Sequence, residues 1–301
     1  MADTTSKPTH LEPSQLGTKE YWDALYSTEL TNHASNPADT GTVWFDDSDA
    51  EAKLLAFLDR HSDDPQEEEE DDEEEEEEEE EERGDQARIA PISRAAASFL
   101  DLGCGNGSLL LALRGAGWGG RMLGVDYSAQ SVALARRVAA QWTPDTDAGD
   151  DDEGTIAAGA ATGADGDTRA GTDVEFAEWD VLAGAYPSVL NGAQEAGWDV
   201  VLDKGTFDAI SLSEERDSAT GRRICEGYRA RVVRLVRPGG LLLITSCNWT
   251  EAELKAWFEG GGDGEAEGGR FEHVGRVEYP SFSFGGVKGQ TISTLCFARK
   301  I

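Results

Sequence analysis

No run of the 301 residues approaches the roughly 18–20 consecutive apolar side chains that a membrane-spanning helix needs. The opening MADTTSKPTHLEPSQ has no apolar core of the kind a secretory signal carries. Cysteine is sparse and scattered: Cys104, Cys225, Cys247 and Cys296 form no C-x-x-C pair, so neither a zinc site nor a disulfide framework is indicated. There are only four histidines and no clustered His/Cys set, so no metal is expected. Two N-x-S/T matches, at Asn106 and Asn248, are read as chance in a chain without an export signal. These absences together predict an intracellular, reduced protein, cytoplasmic with the nucleus also open to it. No membrane partner and no nucleic-acid partner are expected, and a monomer is.

Positive charge is also scarce, with 26 Lys and Arg against 60 Asp and Glu, a net charge of −34. The imbalance is local. Residues 63–82 hold eighteen acids and no base, and residues 145–173 hold nine acids against Arg169. Without these two inserts the remainder carries −8, ordinary for one large α/β domain. Segments of that composition cannot bury enough apolar area to offset chain entropy, so both are expected to be solvated loops. The predicted organisation is a disordered tail (1–14), an N-terminal helical extension or lid (15–60), an acidic disordered insert (61–88) and the main α/β domain (89–301). Within that domain, residues 145–172 form a low-complexity loop.

The informative stretch is 99–127, FLDLGCGNGSLLLALRGAGWGGRMLGVDY. A short apolar run ending near Leu102 reads as a strand buried on both faces. Gly103, Gly105 and Gly107 follow at alternate positions, where the backbone can take positive φ and a ligand can approach the main chain. A helix opens at Ser108 with its free N–H groups facing the turn. A second strand runs over residues 121–125 and ends at Asp126, about twenty residues past the turn, where nucleotide-binding α/β folds place the acid that holds a ribose. The dinucleotide fingerprint G-x-G-x-x-G is broken here, because Ser108 stands at its third glycine. Asp101, at the mouth of the loop, would repel a pyrophosphate and suits a ligand with an ammonium and a sulfonium.

Elsewhere the spacing predicts a helix over residues 16–30 and a second helix started by a Ser48–Glu51 capping box. Ser128 is read as the N-cap of a helix running to Trp142. Strands are expected at 173–179, 198–203 and 241–246. A helix over 220–236 should stop at the Pro-Gly pair of RPGG, and another should open at a Thr250–Glu253 capping box. Two last strands, 271–279 and 291–298, have no helix between them and should pair antiparallel.

The motif DLGCGNG resembles the first motif of the S-adenosylmethionine (SAM) methyltransferases. Together with LGTKEYWDALY, DTGTVWF, GVDYS, VLDKGTFDAISL, RPGGLLLITSCNWT and GQTISTLCFARK, it makes the folded chain resemble the eukaryotic lysine methyltransferases that modify translation elongation factor 1-alpha. The likeness is closest to the subfamily described in yeast as elongation factor methyltransferase four. The resemblance implies a Rossmann-like seven-stranded sheet, mostly parallel with a C-terminal antiparallel hairpin, SAM as cofactor and the elongation factor as protein substrate. It implies that Asp101, Gly103, Gly105, Asn106, Asp126, Tyr127, Asp180 and Val181 hold SAM, with Asp101 beside the methionine end, Asp126 on the ribose and Asp180–Val181 at the adenine.

A lysine with its usual pKa of ~10.4 is charged and cannot attack a methyl group. Dry aromatic walls favour the neutral amine, and a carboxylate can aim it. Asp203 and Phe207, at the exit of the fourth strand, are expected to orient the amine, with Trp22, Tyr26 and Trp44 closing the site. Lys204 is expected to pair with a neighbouring acid. Alternative readings are a small-molecule methyl- or aminopropyltransferase, a NAD-dependent oxidoreductase, which Asp101 and the terminal hairpin disfavour, and a non-catalytic SAM-binding partner.

Overall fold

The computed structural model describes residues 8–64, 89–143, 174–259, 269–280, 282–284 and 287–300. Residues 1–7, most of the acidic insert (65–88) and the whole 145–172 loop lie outside the described residues. The core is one seven-stranded sheet built from β1 (Phe99–Leu102), β2 (Met122–Asp126), β3 (Val174–Glu178), β4 (Trp198–Lys204), β5 (Val236–Ser246), β6 (Arg270–Val277) and β7 (Ser293–Lys300). Their order across the sheet is 3-2-1-4-5-7-6. The first five are parallel, and β7 runs antiparallel between β5 and β6. The strand order reverses at β1, which puts the expected ligand crevice at the carboxyl edge of the sheet, beside the loops leaving β1 and β4.

Alternation along the strands feeds two apolar cores, one on each face. Phe99, Met122, Val200, Leu202, Leu241 and Leu243 point into a core with helices α2 (Ala50–Arg60) and α3 (Ser108–Gly115). Leu100, Leu123, Val125, Val201, Leu242 and Ile244 point the other way, into an aromatic core with Phe207, Tyr228, Trp249, Trp257 and Phe258. Sheets covered on both faces need such continuous apolar strands, which explains why 99–102 and 241–246 carry almost no charge.

The N-terminal helix α1 (Lys19–Ser35) packs on α4 (Ala129–Gln141) and is capped by Thr18, whose hydroxyl accepts from Tyr21 N. Ser128 caps α4, accepting from Ser131 N, and the Thr250–Glu253 capping box opens α7 (Glu251–Phe258), both as expected. Two local expectations are corrected. Ser48 and Glu51 form no capping box: Asp49 enters α2 at φ 52° without a side-chain cap, Ser48 Oγ meets Thr291 Oγ1, and Glu51 accepts from Ser108 Oγ. Tertiary partners have taken both side chains. The long helix over 220–236 is also absent. A 3-10 turn (Ile224–Gly227) and one short helix, α6 (Tyr228–Val232), stand there, between α5 (Thr206–Ser211) and β5. The Arg-Pro-Gly-Gly sequence lies inside β5, where Trp198 pairs with Val236 but Val200 with Leu241, so the four residues bulge out of the ladder.

Candidate active site

The β1–α3 turn takes the backbone the glycines predict, with φ of 68° at Gly103, 57° at Gly105 and 82° at Gly107. A Cβ on Gly103 would lie 2.0 Å from Thr206 Oγ1, which itself donates to Leu102 O at 2.6 Å. Glycine there lets the loops leaving β1 and β4 cross in contact.

Asp126 ends β2 beneath this turn. It accepts from Ser128 N at 2.9 Å and Gly105 N at 3.3 Å, and Ser131 Oγ lies 2.8 Å from both Asp126 Oδ2 and Gly105 O. Burial pushes its pKa up, and these donors with Lys19 pull it back. A carboxylate has about four acceptor positions, so three protein donors leave capacity for a ligand hydroxyl. Lys19 pairs with Asp23 at 2.9 Å and stands 5.1 Å from the centre of the Tyr127 ring.

A cavity of about 290 Å³ opens between these loops and the N-terminal segment. Gly103, Asp126 and Tyr127 form one side, and Trp179, Asp180, Val181 and Leu182 one end. Trp22, Tyr26, Trp44 and Phe45 from the N-terminal segment wall it, and Asp208, Cys247 and Asn248 line it at the exits of β4 and β5. Trp22 stacks on Tyr26 and meets Trp44 edge-on at 5.3 Å. The wall is pinned from below: Lys204 Nζ donates to Trp44 O at 3.0 Å and pairs with Glu51 at 3.4 Å, and Asn106 Nδ2 donates to Thr40 O at 3.0 Å. Phe45 sits at φ 65°, unusual for a bulky residue, with its ring over Gly205, where a Cβ would come within 3.2 Å of it.

Asp101 is buried behind this cavity, and burial raises its carboxyl to about 7 against the pull of Lys204. Among the described residues no group of three or more His, Cys, Asp or Glu could hold a metal ion, and no helix is long and apolar enough to cross a membrane.

Residues 93–145 match the family described as "Methyltransferase domain". Over 290 residues the chain is 33% identical to "Protein-lysine N-methyltransferase EFM4" of Saccharomyces cerevisiae, spanning 96% of this chain and 97% of that protein. The chain belongs to the EFM4 family of protein-lysine N-methyltransferases. It is also 29% identical to the Homo sapiens "EEF1A lysine methyltransferase 2", over 95% of this chain and 88% of that protein. Among solved structures, the [4+2]-cyclase SpnF matches 98% of this chain and 100% of its own with a TM-score of 0.50 and 13% identity, a likeness of fold alone.

Of the residues that the EFM4-family resemblance brings to the site, Gly103, Asp126, Tyr127, Asp180, Val181, Trp22, Tyr26 and Trp44 meet on the cavity. Asp101, Gly105 and Asn106 do not line it. Gly105 underlies it, donating to Asp126 and packed under the Tyr26 hydroxyl, and Asn106 serves the N-terminal segment.

Asp203 and Phe207 do not line the cavity. Asp203 is 1% exposed and accepts from the Tyr228 hydroxyl, Thr206 N and Phe207 N. Its carboxylate caps the β4–α5 turn and leaves little for a substrate. Phe207 is 1% exposed, 5.2 Å from both Tyr228 and Phe258, inside the aromatic core. A strand followed by a helix sends successive side chains to different sides, and the sequence alone did not show which residue of the turn would point outward. Sequence reasoning missed Lys19, Asp208 and Cys247, and weighed Phe45 only as core or as part of the N-terminal lid. Asp208 stands in the same DKGTFD motif, and Phe45 in the same VWF triplet, as residues that were singled out.

Proposed function

We propose that this protein transfers methyl groups from SAM to a lysine ε-amine of translation elongation factor 1-alpha. Support comes from one cavity lined by the glycine turn, the β2 acid, the β3-end acid and an aromatic N-terminal wall, in a chain nearly coextensive with relatives named for that activity.

SAM, when bound, supplies a methyl group on a positively charged sulfur. The residues present fit it. Asp126 offers acceptor capacity to ribose hydroxyls, and Tyr127 borders the same place. Asp180 and Val181 stand at the adenine end, where Asp180 Oδ1 already accepts from Leu182 N at 2.7 Å and Oδ2 is available to an exocyclic amine. Asp101, two residues before Gly103 but not itself on the cavity wall, is assigned to the amino group of the methionine moiety by the family resemblance, through its charge.

The chain's own part is to admit a lysine, exclude water and hold the neutral amine on the methyl axis. Trp22, Tyr26 and Trp44 supply the apolar wall that favours the uncharged amine by desolvation. The lysine gives its proton to solvent, its lone pair forms the new N–C bond, and sulfur keeps the pair of the bond that breaks. Orientation of this kind supplies ~7–11 kcal/mol of a barrier. The same reading places the protein in the cytoplasm with its substrate and has it act as a monomer. It treats the N-terminal segment as a lid on residues 89–301. Asp203 takes a positioning role in it, holding the turn from which Asp208 projects.

Incubating the full chain with purified elongation factor 1-alpha and methyl-labelled SAM tests the proposal. Label is expected on the factor, and strongly reduced label with Asp126→Ala. A factor that stays unlabelled at saturating SAM overturns it.

A further inference from the structure

The β4 and β5 exits place a second carboxylate on the cavity, one that no part of the cofactor reading uses. Asp208 is 5% exposed and lines the cavity beside Cys247 and Asn248. Its Oδ1 accepts from Ser246 Oγ and its Oδ2 from Cys247 N at 2.8 Å, with the weak Cys247 thiol donor at 3.4 Å. Those donors, together with the Asn248 N–H, fix the carboxylate from the strand side, and Asp208 still lines the cavity.

This corner is also the open one. Cys247 and Asn248 are exposed at its rim, whereas Trp179 and Val181 at the adenine end are buried. The N-terminal segment reaches the same corner. It does so through Trp44 and Phe45, which line the cavity with Asp208. Across the cavity stands Phe45, held at φ 65° over Gly205, whose own φ is 90°. Non-glycine residues in that backbone region persist where surrounding structure over-determines them, and they concentrate at functional sites. Here the pinning of Trp44 O by Lys204 and the glycine beneath the ring are what hold it.

Resting on the lysine-methylation reading, we infer that Asp208 is the catalytic carboxylate that receives the substrate ε-amine, in a subsite completed by Phe45 and Trp44. The amine enters past Cys247 and Asn248. An N–H of the neutral amine donates to Asp208, which turns the lone pair toward the methyl group. Positive charge then grows on nitrogen as the N–C bond forms, beside a fixed carboxylate that stabilises it.

The test compares Asp208→Asn and Ser246→Ala in the full chain, using elongation factor 1-alpha as substrate. Readouts are kcat, KM for the factor, affinity for S-adenosylhomocysteine (SAH) and melting temperature. Asp208→Asn keeps the shape and removes the charge. It is expected to lower kcat about 100-fold, the scale of losing one charge-stabilising group, while SAH affinity stays within about twofold of wild type. Ser246→Ala keeps the carboxylate and is expected to lose less than about tenfold. Turnover of Asp208→Asn within about threefold of wild type overturns the assignment. So does a variant that loses SAH affinity or folding in step with turnover, since the carboxylate is then structural. Wild-type enzyme that binds SAH yet leaves the factor's lysines untouched removes the amine itself, and the functional reading and the subsite fall together.

Discussion

Asp101 gives a prediction whose size follows from its surroundings. It stands one residue before the end of β1 at 3% exposure, and burial, offset in part by Lys204, places its pKa at about 7. A ligand ammonium beside it prefers the ionised form, so binding draws the proton off. If the bound pKa falls well below 6, affinity tracks the ionised fraction of the free protein. That fraction changes about tenfold between pH 8 and pH 6, or ~1.4 kcal/mol. For folding the sign is opposite. A carboxyl raised above its unfolded value of ~3.9 adds stability that is fully present below that value and is lost as pH rises through about 7. The ligand-free protein should therefore lose stability from this group over the same range in which it gains affinity. Calorimetry of SAH across that range, in buffers of different ionisation enthalpy, reads both affinity and proton release. Wild type should bind about tenfold tighter at pH 8 than at pH 6 and release a fraction of a proton near neutrality. Asp101→Asn should bind with no such slope. A flat wild-type profile, or a slope that survives in Asp101→Asn, refutes the placement of Asp101 at the ammonium.

Asp203→Asn should behave as a stability variant. Weakening the bonds to Tyr228, Thr206 and Phe207 is expected to cost roughly 1–3 kcal/mol in chemical denaturation, and kcat should fall less than in Asp208→Asn. A loss of kcat exceeding that of Asp208→Asn, with stability unchanged, would restore it to the reaction centre. Excision of residues 67–82 should leave melting temperature and turnover near wild type at physiological salt, where charges are screened beyond ~8 Å. The excision spares Asp63 and Asp64, because Arg94 N donates to Asp63 Oδ1 at 2.8 Å and Arg94 Nε to Asp64 O at 3.1 Å. Turnover that drops and stays low at high salt would show that the tract supports the fold.

The parts of the fold legible in the sequence were those set by local physics. Alternating glycines gave the β1–α3 turn, apolar runs gave β1, β2, β4 and β5, alternation gave β3, and the absence of a helix after β6 gave the antiparallel pair. The Thr250–Glu253 cap could be read for the same reason, since all its partners lie within one turn. Failures came where distant contacts decide. Ser48 and Glu51 fit a cap in sequence, yet Thr291, Ser108 and Lys204 take them in space. Pro238 and the two glycines after it resemble a helix stop, but pairing of Val236 with Trp198 makes them a bulge within a strand. Within the DKGTFD motif, composition marks an acid near the switch point. Only the packing of Tyr228 against Asp203, and the exposure of Asp208 to the cavity, tell which acid faces which way.

The most direct test of lysine methylation is to digest elongation factor 1-alpha after incubation with the full chain and SAM, and to map the added methyl groups by fragmentation mass spectrometry. The account predicts methyl on a lysine ε-amine, unchanged by chelator, and greatly diminished with both Asp126→Ala and Asp208→Asn. Methyl found on arginine, on histidine or only on a small molecule would contradict it.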